Sequence, residues 1–260
     1  MSSEKRATFT EVAELYDRAR NQYPDQLFDD LFRLTQMPSG ANVLEIGPGT
    51  GFATLQVAKR GCSVVGVELG TEMAAVARRK LAAYPKVEIQ VAAFEEWQPS
   101  VEPFDLVMAA TSFHWLDPEV RYTKAASVLR QGGYLAIINY RHVAGDDLSF
   151  YYQVQACYER YMHSTLANFH VPEVGELVPD TSELETCGLF EPPIIRTYIT
   201  DETYNTEQYI DLLSTYSDHI RLTLEDRSQL FDCIRGLING QCGGRVTKRY
   251  LHEMIMARKK

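Results

Sequence analysis

The chain has 260 residues, of which 45% are hydrophobic and 23% charged, a composition typical of a globular protein with one large core. The formal net charge of -9 provides no overall positive field, which argues against a nucleic-acid partner. No apolar run reaches the length of a membrane span, and the N-terminal sequence lacks an apolar signal core, so we expect a cytoplasmic protein with no membrane partner.

Cysteine spacing predicts thiols rather than cross-links. The five cysteines lie far apart and form no C-x-x-C pair, which disfavours a zinc ribbon. An odd number in a chain of this size also disfavours a disulfide framework. We therefore expect buried thiols in a reducing compartment and no metal.

The first forty residues have helical patterns. Thr8 and Glu11 have the spacing of a capping box, and apolar residues follow them at helical intervals. Pro24 then begins a second amphipathic segment, with Leu27 and Leu31 on one side. A helical segment is thus predicted before the first strand.

Strands and helices alternate through the next hundred residues. Apolar runs predict strands over 41–46, 63–69, 87–93, 104–110 and 134–140. Helical patterns lie between them, over 52–60, from the predicted cap Thr71 to 84, and from Asp117 to Gly132. Such alternation predicts a parallel sheet with helices on both faces and a ligand crevice at the carboxyl ends of the strands.

The rhythm changes after residue 141. The pattern predicts a long aromatic-rich helix over 146–169, a strand over 192–200, helices over 206–216 and 223–240, and a final strand over 249–259. We predict a single domain with four parts. These are an N-terminal helical cover (1–40), a cofactor-binding core (41–140), an inserted helical cap (141–190) and C-terminal strands and helices (191–260).

A glycine loop follows the first predicted strand. Gly47, Gly49 and Gly51 alternate with Pro48 and Thr50, which differs from the G-x-G-x-x-G spacing of dinucleotide sites and lacks the Lys-Ser/Thr of a P-loop. Glu68 ends the next strand about twenty residues later, where an acid takes the hydroxyls of a ribose. The loop and this acid together suit an adenosine-like ligand.

The stretch E-x-G-x-G-x-G at 45–51 resembles motif I of class I S-adenosylmethionine-dependent methyltransferases. Further along, 92–97 and 129–137 are similar to later motifs of the family, and "FDLVMAATSFHWLD" at 104–117 resembles a small-molecule subgroup that includes trans-aconitate methyltransferase-like proteins. The N-terminal "YDRARNQYP" also resembles this subgroup, whose first segment closes over the cofactor. The ordered set covers residues 41–140.

The resemblance implies an α/β fold: a Rossmann-like seven-stranded, mostly parallel sheet with its last strand antiparallel, helices on both faces and a helical cap. It implies S-adenosylmethionine as cofactor and S-adenosylhomocysteine as product, with no metal. The chain departs from the family at Ala92-Ala93-Phe94, where Gly-Asp-Ala is frequent. The implied cofactor-binding residues are Glu45, Gly47, Pro48, Gly49, Thr50, Gly51, Glu68, Leu69, Ala93, Phe94 and Thr111.

Methyl transfer from a sulfonium is an in-line displacement that mainly needs alignment, with a general base only for a protonated acceptor. His114 is the candidate base, although a packing role is an alternative. The candidate acceptor-binding residues are Tyr16, Arg20, Tyr23, Trp115, Arg141 and His142. Arginines suit an acceptor with a carboxylate, and each could equally be a surface residue.

Two functions remain open at this point. The first is an enzyme that methylates a small molecule, with a carboxylate or hydroxyl oxygen as possible acceptor. The second is a non-catalytic protein of the same fold that binds the cofactor and regulates a partner. A nicotinamide-dependent dehydrogenase conflicts with the glycine spacing, and no pattern indicates an oligomeric state.

Overall fold

The computed structural model describes residues 13–99, 103–162 and 169–260. Helices and strands are numbered below in chain order within these ranges. The predicted capping box of Thr8 and Glu11 lies outside them. Within these ranges, no helix combines the length and the apolar character needed to cross a membrane.

One seven-stranded sheet forms the centre of the molecule, in the order β3-β2-β1-β4-β5-β7-β6. Strands β1 to β5 pair in parallel, whereas β7 runs antiparallel to both β5 and β6. The predicted mostly parallel sheet with an antiparallel last strand is thereby confirmed. The strands are β1 (Asn42–Ile46), β2 (Ser63–Glu68), β3 (Val87–Val91), β4 (Phe104–Ala110), β5 (Leu129–Val143), β6 (Ile194–Asn205) and β7 (Arg245–Arg258).

Helices surround this sheet and form the cap. The N-terminal and core helices are α1 (Ala13–Ala19), α2 (Asp25–Thr35), α3 (Phe52–Lys59), α4 (Thr71–Lys80) and α5 (Arg121–Val128). The later helices are α6 (Leu148–Gln153), α7 (Gln155–Tyr161), α8 (Ser182–Thr186), α9 (Thr206–Leu213), α10 (Ser217–Ile220) and α11 (Leu224–Gln241). Short 3₁₀ turns span Phe113–Trp115 and Val174–Glu176.

Alternating residues of the central strand β4 belong to two different cores. Leu106 and Met108 pack with Leu27 of α2 on one face, while Val107 and Ala109 pack in the cluster of the other face. Because β4 is covered on both faces, nearly all its residues are apolar, as expected for a central parallel strand. Complete burial of each large side chain stabilises the fold by roughly 1.5–3 kcal/mol before entropy is considered.

A third core lies beside the sheet, where α6 and α7 of the predicted cap and α9 and α11 of the C-terminal part bury aromatic and aliphatic side chains together. This assembly of α6, α7 and α9 to α11 is called the cap below. Cys157 of α7 and Cys233 of α11 are joined by a disulfide across this core, with their Cα atoms 5.9 Å apart. The prediction of free thiols is therefore wrong for these two residues. The fold brings them together over 76 residues of sequence, a proximity that cysteine spacing does not reveal.

Several predicted helix ends are also wrong. Asp117 accepts a hydrogen bond from the Glu119 amide (3.0 Å) and forms a turn, so α5 begins only at Arg121. It ends at Val128 because Leu129 pairs with Phe104 in the sheet. Thr71 is the first helical residue of α4, and its predecessor Gly70 occupies the cap position.

The predicted long helix over 146–169 is two short helices. Helix α6 ends at Gln153, α7 follows after Val154, and α7 ends at Tyr161. Residues 163–168 lie outside the described part of the chain. At the far end, Thr223, the first residue of the predicted segment, caps α11 by accepting a hydrogen bond from the Asp226 amide (3.1 Å), but the helix passes Gly240 and ends at Gln241.

Candidate active site

A cavity of about 530 Å³ opens where the carboxyl ends of β1, β2 and β4 meet the N-terminal helix and the cap. This volume is within the usual range for small-molecule sites, roughly 300–1,000 Å³. It collects most of the residues predicted from the sequence. Those that line it are Tyr16, Arg20, Tyr23, Glu45, Gly47, Pro48, Gly49, Thr50, Glu68, Leu69, Ala93, Phe94, Thr111, His114 and Trp115.

The glycine loop needs glycine because of both its backbone conformation and its close contacts. Gly47 has φ +66°, and a Cβ there would lie 2.7 Å from the Cβ of Ser112. Gly51 has φ +86°, and its Cβ would lie 3.0 Å from Leu81. Gly51 is not itself a lining residue but provides the cap position of α3. The loop therefore leads directly from β1 into a helix N-terminus that faces the cavity.

Glu68 is held in place by the loop that it faces. One carboxylate oxygen accepts a hydrogen bond from the Gly49 amide (2.9 Å), and the other accepts one from the Gly70 amide (2.8 Å). Burial raises the pKa of this carboxyl, and the amide hydrogen bonds act in the opposite direction. Each oxygen keeps a lone pair for a ligand hydroxyl, so the carboxylate could hold a ribose.

Glu45 lies at the inner wall of the cavity and is only 1% exposed. Burial raises the pKa of its carboxyl to about 8, although the Thr54 hydroxyl donates it a hydrogen bond of 2.5 Å that lowers the pKa. A cationic ligand group would favour its ionised form. Nearby, the buried hydroxyl of Thr50 has no hydrogen-bond partner among the described residues. Both groups fit the ammonium and polar atoms of an amino-acid ligand.

Apolar groups border the cavity beside β3. Leu69 is 43% exposed, whereas Phe94 is buried and stacks on Trp97 with ring centroids 6.5 Å apart. On the opposite side, Thr111 has φ +58°, and its hydroxyl shares a 2.7 Å hydrogen bond with the Tyr23 hydroxyl. This bond connects the end of β4 with the N-terminal cover.

Arg20 extends from the end of α1 into the cavity and is held on several sides. Its guanidinium lies over the rings of Tyr16 and Tyr216, 4.8 and 4.4 Å from their centroids. It donates hydrogen bonds to the Thr215 hydroxyl (2.7 Å) and carbonyl (3.0 Å) and to the Tyr140 hydroxyl (3.1 Å). A fixed cation therefore lines the same cavity as the acidic side chains of Glu45 and Glu68.

His114 lies at the mouth of the site, where it borders both the main cavity and a neighbouring one of about 200 Å³. Its ring lies beside Trp115, with centroids 5.0 Å apart. Partial burial lowers the pKa of the imidazole, and Arg121 lowers it further. The ring is therefore neutral near pH 7 and able to accept a proton.

Arg141 and His142 do not line the cavity. Arg141 is half exposed and pairs with Glu253 at 3.4 Å, and His142 packs on the Tyr151 ring at 4.2 Å between centroids. Conversely, the cap contributes lining residues that sequence reasoning missed, including Met162, Tyr216 and His219. Nothing in their spacing marks them, since they follow cap helices whose packing depends on long-range contacts.

The described residues contain no group of three or more His, Cys, Asp or Glu side chains arranged to hold a metal ion. The prediction that no metal takes part stays a prediction.

Comparisons with known proteins agree with this geometry. Residues 43–133 match the family model described as a methyltransferase domain. An uncharacterized methyltransferase of Mycobacterium tuberculosis is 34% identical over 132 residues, which are 50% of this chain and 51% of the relative. The match thus spans about half the length of that curated relative.

Solved structures with the same fold cover most of the chain. A proposed type II methyltransferase from Anaeromyxobacter dehalogenans has a TM-score of 0.58 at 21% identity, over 93% of this chain and 97% of that one. A phosphoethanolamine N-methyltransferase from Haemonchus contortus, solved with phosphomonomethylethanolamine and S-adenosylhomocysteine, has a TM-score of 0.56 at 16% identity, over 100% of this chain and 60% of that one.

Residues 43–133 therefore match a methyltransferase domain, and the sheet of the chain is Rossmann-like. This confirms the predicted resemblance to class I S-adenosylmethionine-dependent methyltransferases. The narrower resemblance to the trans-aconitate methyltransferase-like subgroup stays a prediction.

Proposed function

We propose that the protein transfers a methyl group from S-adenosylmethionine to a small-molecule acceptor, at a carboxylate or hydroxyl oxygen. The observation that carries the proposal is a single cavity lined by the glycine loop, by Glu68 and by Arg20 of the N-terminal cover. One space thus offers groups for a cationic cofactor and groups for a second molecule. We also infer a cytoplasmic location from the composition, with the Cys157–Cys233 disulfide as an exception to the usual reduced state of cytoplasmic cysteines.

The chain's residues would divide the cofactor among them. The loop Gly47–Gly51 lets backbone amides approach the amino-acid part, and Glu45 faces its ammonium. Glu68, already fixed by two amide hydrogen bonds, receives the ribose hydroxyls. Leu69 and Phe94 border the space for the adenine. When bound, the cofactor supplies a methyl group that its sulfonium already activates.

The remaining groups would orient the acceptor. Tyr16, Tyr23 and Trp115 provide aromatic walls, and Arg20 provides a cation. A carboxylate acceptor is already ionised and needs no base, whereas a hydroxyl acceptor would give its proton to the neutral ring of His114. A small acceptor is favoured because the cover and the cap both border the cavity.

Calorimetric titration with S-adenosylhomocysteine tests the cofactor assignment. We expect micromolar binding to the wild type and a loss of at least tenfold in Glu68→Ala, because hydrogen bonds to a charged group contribute about 1.5–3 kcal/mol. Glu72→Ala is the matched control, since Glu72 is an exposed acid in the first turn of α4. Absence of binding to the wild type would overturn the proposal.

Turnover separates the enzyme from the non-catalytic alternative. The protein is incubated with cofactor labelled in its methyl group and with fractionated small metabolites. Transfer of label into a small molecule supports the enzyme. Tight cofactor binding without transfer to any fraction favours the alternative, a cofactor-binding protein that regulates a partner.

A further inference from the structure

Charge is divided between the two ends of the cavity. Among the lining residues, the carboxylates Glu45, Glu68 and Glu95 lie at or just after the carboxyl ends of the strands, here called the strand end. Arg20 of the N-terminal cover contacts Thr215 and Tyr216, which follow α9, and this part is called the cap end. The cap end also has one carboxylate, Asp218, which is 67% exposed and pairs with Arg221 at 4.0 Å. The acidic end suits a cofactor that carries an ammonium and a sulfonium. The cationic end suits a ligand group of the opposite charge, which these two cofactor groups do not provide.

Arg20 has unused hydrogen-bonding capacity at this cationic end. A guanidinium has five N–H groups, and Arg20 uses three of them in hydrogen bonds to Thr215 and Tyr140. None of the ion pairs formed by the described residues includes it. Arg20 is half-buried, and a guanidinium withdrawn from solvent without a carboxylate partner among the described residues is unusual, because buried charges are normally paired.

A second cation lies behind the lining. Lys248 of β7 is 8% exposed, and its Nζ atom lies 5.7–5.8 Å from the ring centroids of Tyr151, Tyr216 and Tyr250. Tyr216 is therefore placed between Lys248 and the cavity, and it also contacts Arg20. Sequence analysis gave no indication of Lys248.

No acid compensates Lys248 within the described part of the chain. Its cross-strand neighbour is Glu202, yet the two side chains do not form an ion pair. Burial, together with the charge of Arg20, lowers the pKa of Lys248 to about 7. His142 and His219 lie near enough to Lys248 for its charge to lower the pKa of both imidazoles. An anion bound beside Arg20 and Lys248 would therefore stabilise their uncompensated positive charges.

We propose that the cap end of the cavity, formed by Arg20, Tyr216 and His219 with Lys248 behind them, binds an anionic group of the methyl acceptor. Arg20 contacts the anion through its free N–H groups, and Lys248 adds positive potential through the low-dielectric tyrosine cluster. The anion is a carboxylate or a phosphate. This inference rests on the proposed function and specifies the class of acceptor.

Nuclear magnetic resonance of protein carrying ¹³C-labelled lysine tests the site directly. Lys248→Met identifies the Lys248 signal, and exposed Lys86 serves as internal reference. The protein, saturated with S-adenosylhomocysteine, is titrated with acetate, with inorganic phosphate, with neutral acetamide and with sodium chloride at equal ionic strength. We expect acetate or phosphate to shift the Lys248 signal saturably, at least ten times more tightly than acetamide or chloride.

The two anions distinguish the sources. Saturation by acetate alone assigns a carboxylate, and saturation by phosphate alone assigns a phosphate. If neither anion moves the Lys248 signal, or if chloride moves it equally, the inference is overturned.

Variants of Arg20 extend the test. Arg20→Gln should weaken anion binding at least tenfold, and Arg20→Lys should restore part of it. Arg18→Gln is the matched control, since Arg18 is 67% exposed and pairs only distantly with Asp211 (4.0 Å). Unchanged anion binding in Arg20→Gln would contradict the assignment. The wild-type titrations need no variant, so a folding defect in Arg20→Gln leaves the proposal testable.

Failure of this inference can be told apart from failure of the proposed function. Binding of S-adenosylhomocysteine without anion binding overturns the anion site alone. Anion binding without cofactor binding contradicts the methyltransferase proposal, and the site would then serve a ligand other than a methyl acceptor.

Discussion

Burial raises the pKa of the Glu45 carboxyl more than the hydrogen bond from Thr54 lowers it. The carboxyl is almost fully buried, and its pKa of about 8 means that the folded state holds a proton well above the pH at which an unfolded glutamate has lost it. Between these two pH values the folded protein binds more protons than the unfolded chain. Its stability therefore falls as pH rises from about 4.5 to about 8.

Glu45→Gln should remove this pH dependence. The amide can still accept the Thr54 hydrogen bond but carries no charge, so we expect the cofactor-free variant to gain stability relative to wild type as pH rises, on the order of a few kcal/mol at pH 8.5. Urea denaturation at pH 5.5, 7 and 8.5 measures the difference. Glu72→Gln is the control, and parallel curves for wild type and Glu45→Gln would contradict the assignment.

For single residues, the sequence predicts a position in the site when a local motif fixes where the side chain lies. The glycine loop and Glu68 could be placed because the strand before each of them ends at the same edge of the sheet. Tyr216 and Lys248 could not, because they approach Arg20 only through contacts across the whole chain. Arg141 lies near the carboxyl end of β5, at the edge where the cavity opens, but its side chain pairs with Glu253 instead.

Among the elements, α7 and α11 are the pair whose relation the sequence does not predict. Apolar runs identify strands well because a central strand is buried on both faces. Helical periodicity is less specific, since it continues across the break at Val154 between α6 and α7. The disulfide between Cys157 and Cys233 joins α7, the helix after this break, to α11.

Loss of that disulfide should destabilise the cap. A cross-link spanning 76 residues restricts the unfolded chain, and such bonds typically contribute about 2–4 kcal/mol. We expect Cys157→Ala/Cys233→Ala to lower the free energy of unfolding by this amount in urea titrations, with Cys187→Ala as control. Thiol titration of the unfolded, unreduced protein should detect three thiols, those of Cys62, Cys187 and Cys242. A count of five would contradict the cross-link.

In the whole molecule, the N-terminal segment is attached at several points around the cavity. Ala13 packs with Met73 and Val76 of α4, and α1 forms ion pairs to the same helix through Glu14–Arg79 and Asp17–Lys80. Alternation of strands and helices was sufficient to predict the parallel part of the sheet, because each element repeats a local pattern, whereas the antiparallel last strand was implied only by the resemblance. The docking of α1 was predicted only by resemblance, since it depends on surfaces that exist after the sheet has formed.

The two ion pairs should differ in their contribution to this docking. Asp17 and Lys80 are 27% and 19% exposed, whereas Glu14 and Arg79 are 71% and 60% exposed and more strongly screened by solvent. Exposed pairs contribute at most about 1 kcal/mol, or about a fivefold change in an equilibrium. Glu14→Gln should therefore increase amide exchange over residues 13–20 by less than about fivefold, and Asp17→Asn, which breaks the less exposed pair, should increase it more.

If α1 closes over the bound cofactor, S-adenosylhomocysteine must slow the same amides. Amide exchange over 13–20 should then fall when the wild type binds S-adenosylhomocysteine. Asp17→Asn should weaken the binding of S-adenosylhomocysteine by the same factor by which it promotes opening of α1, because ligand binding and closure are linked. Hydrogen exchange with mass spectrometry, together with calorimetry on both variants, compares the two factors. Protection of the glycine loop without protection of 13–20 would mean that the cofactor binds beneath a cover that does not respond to it.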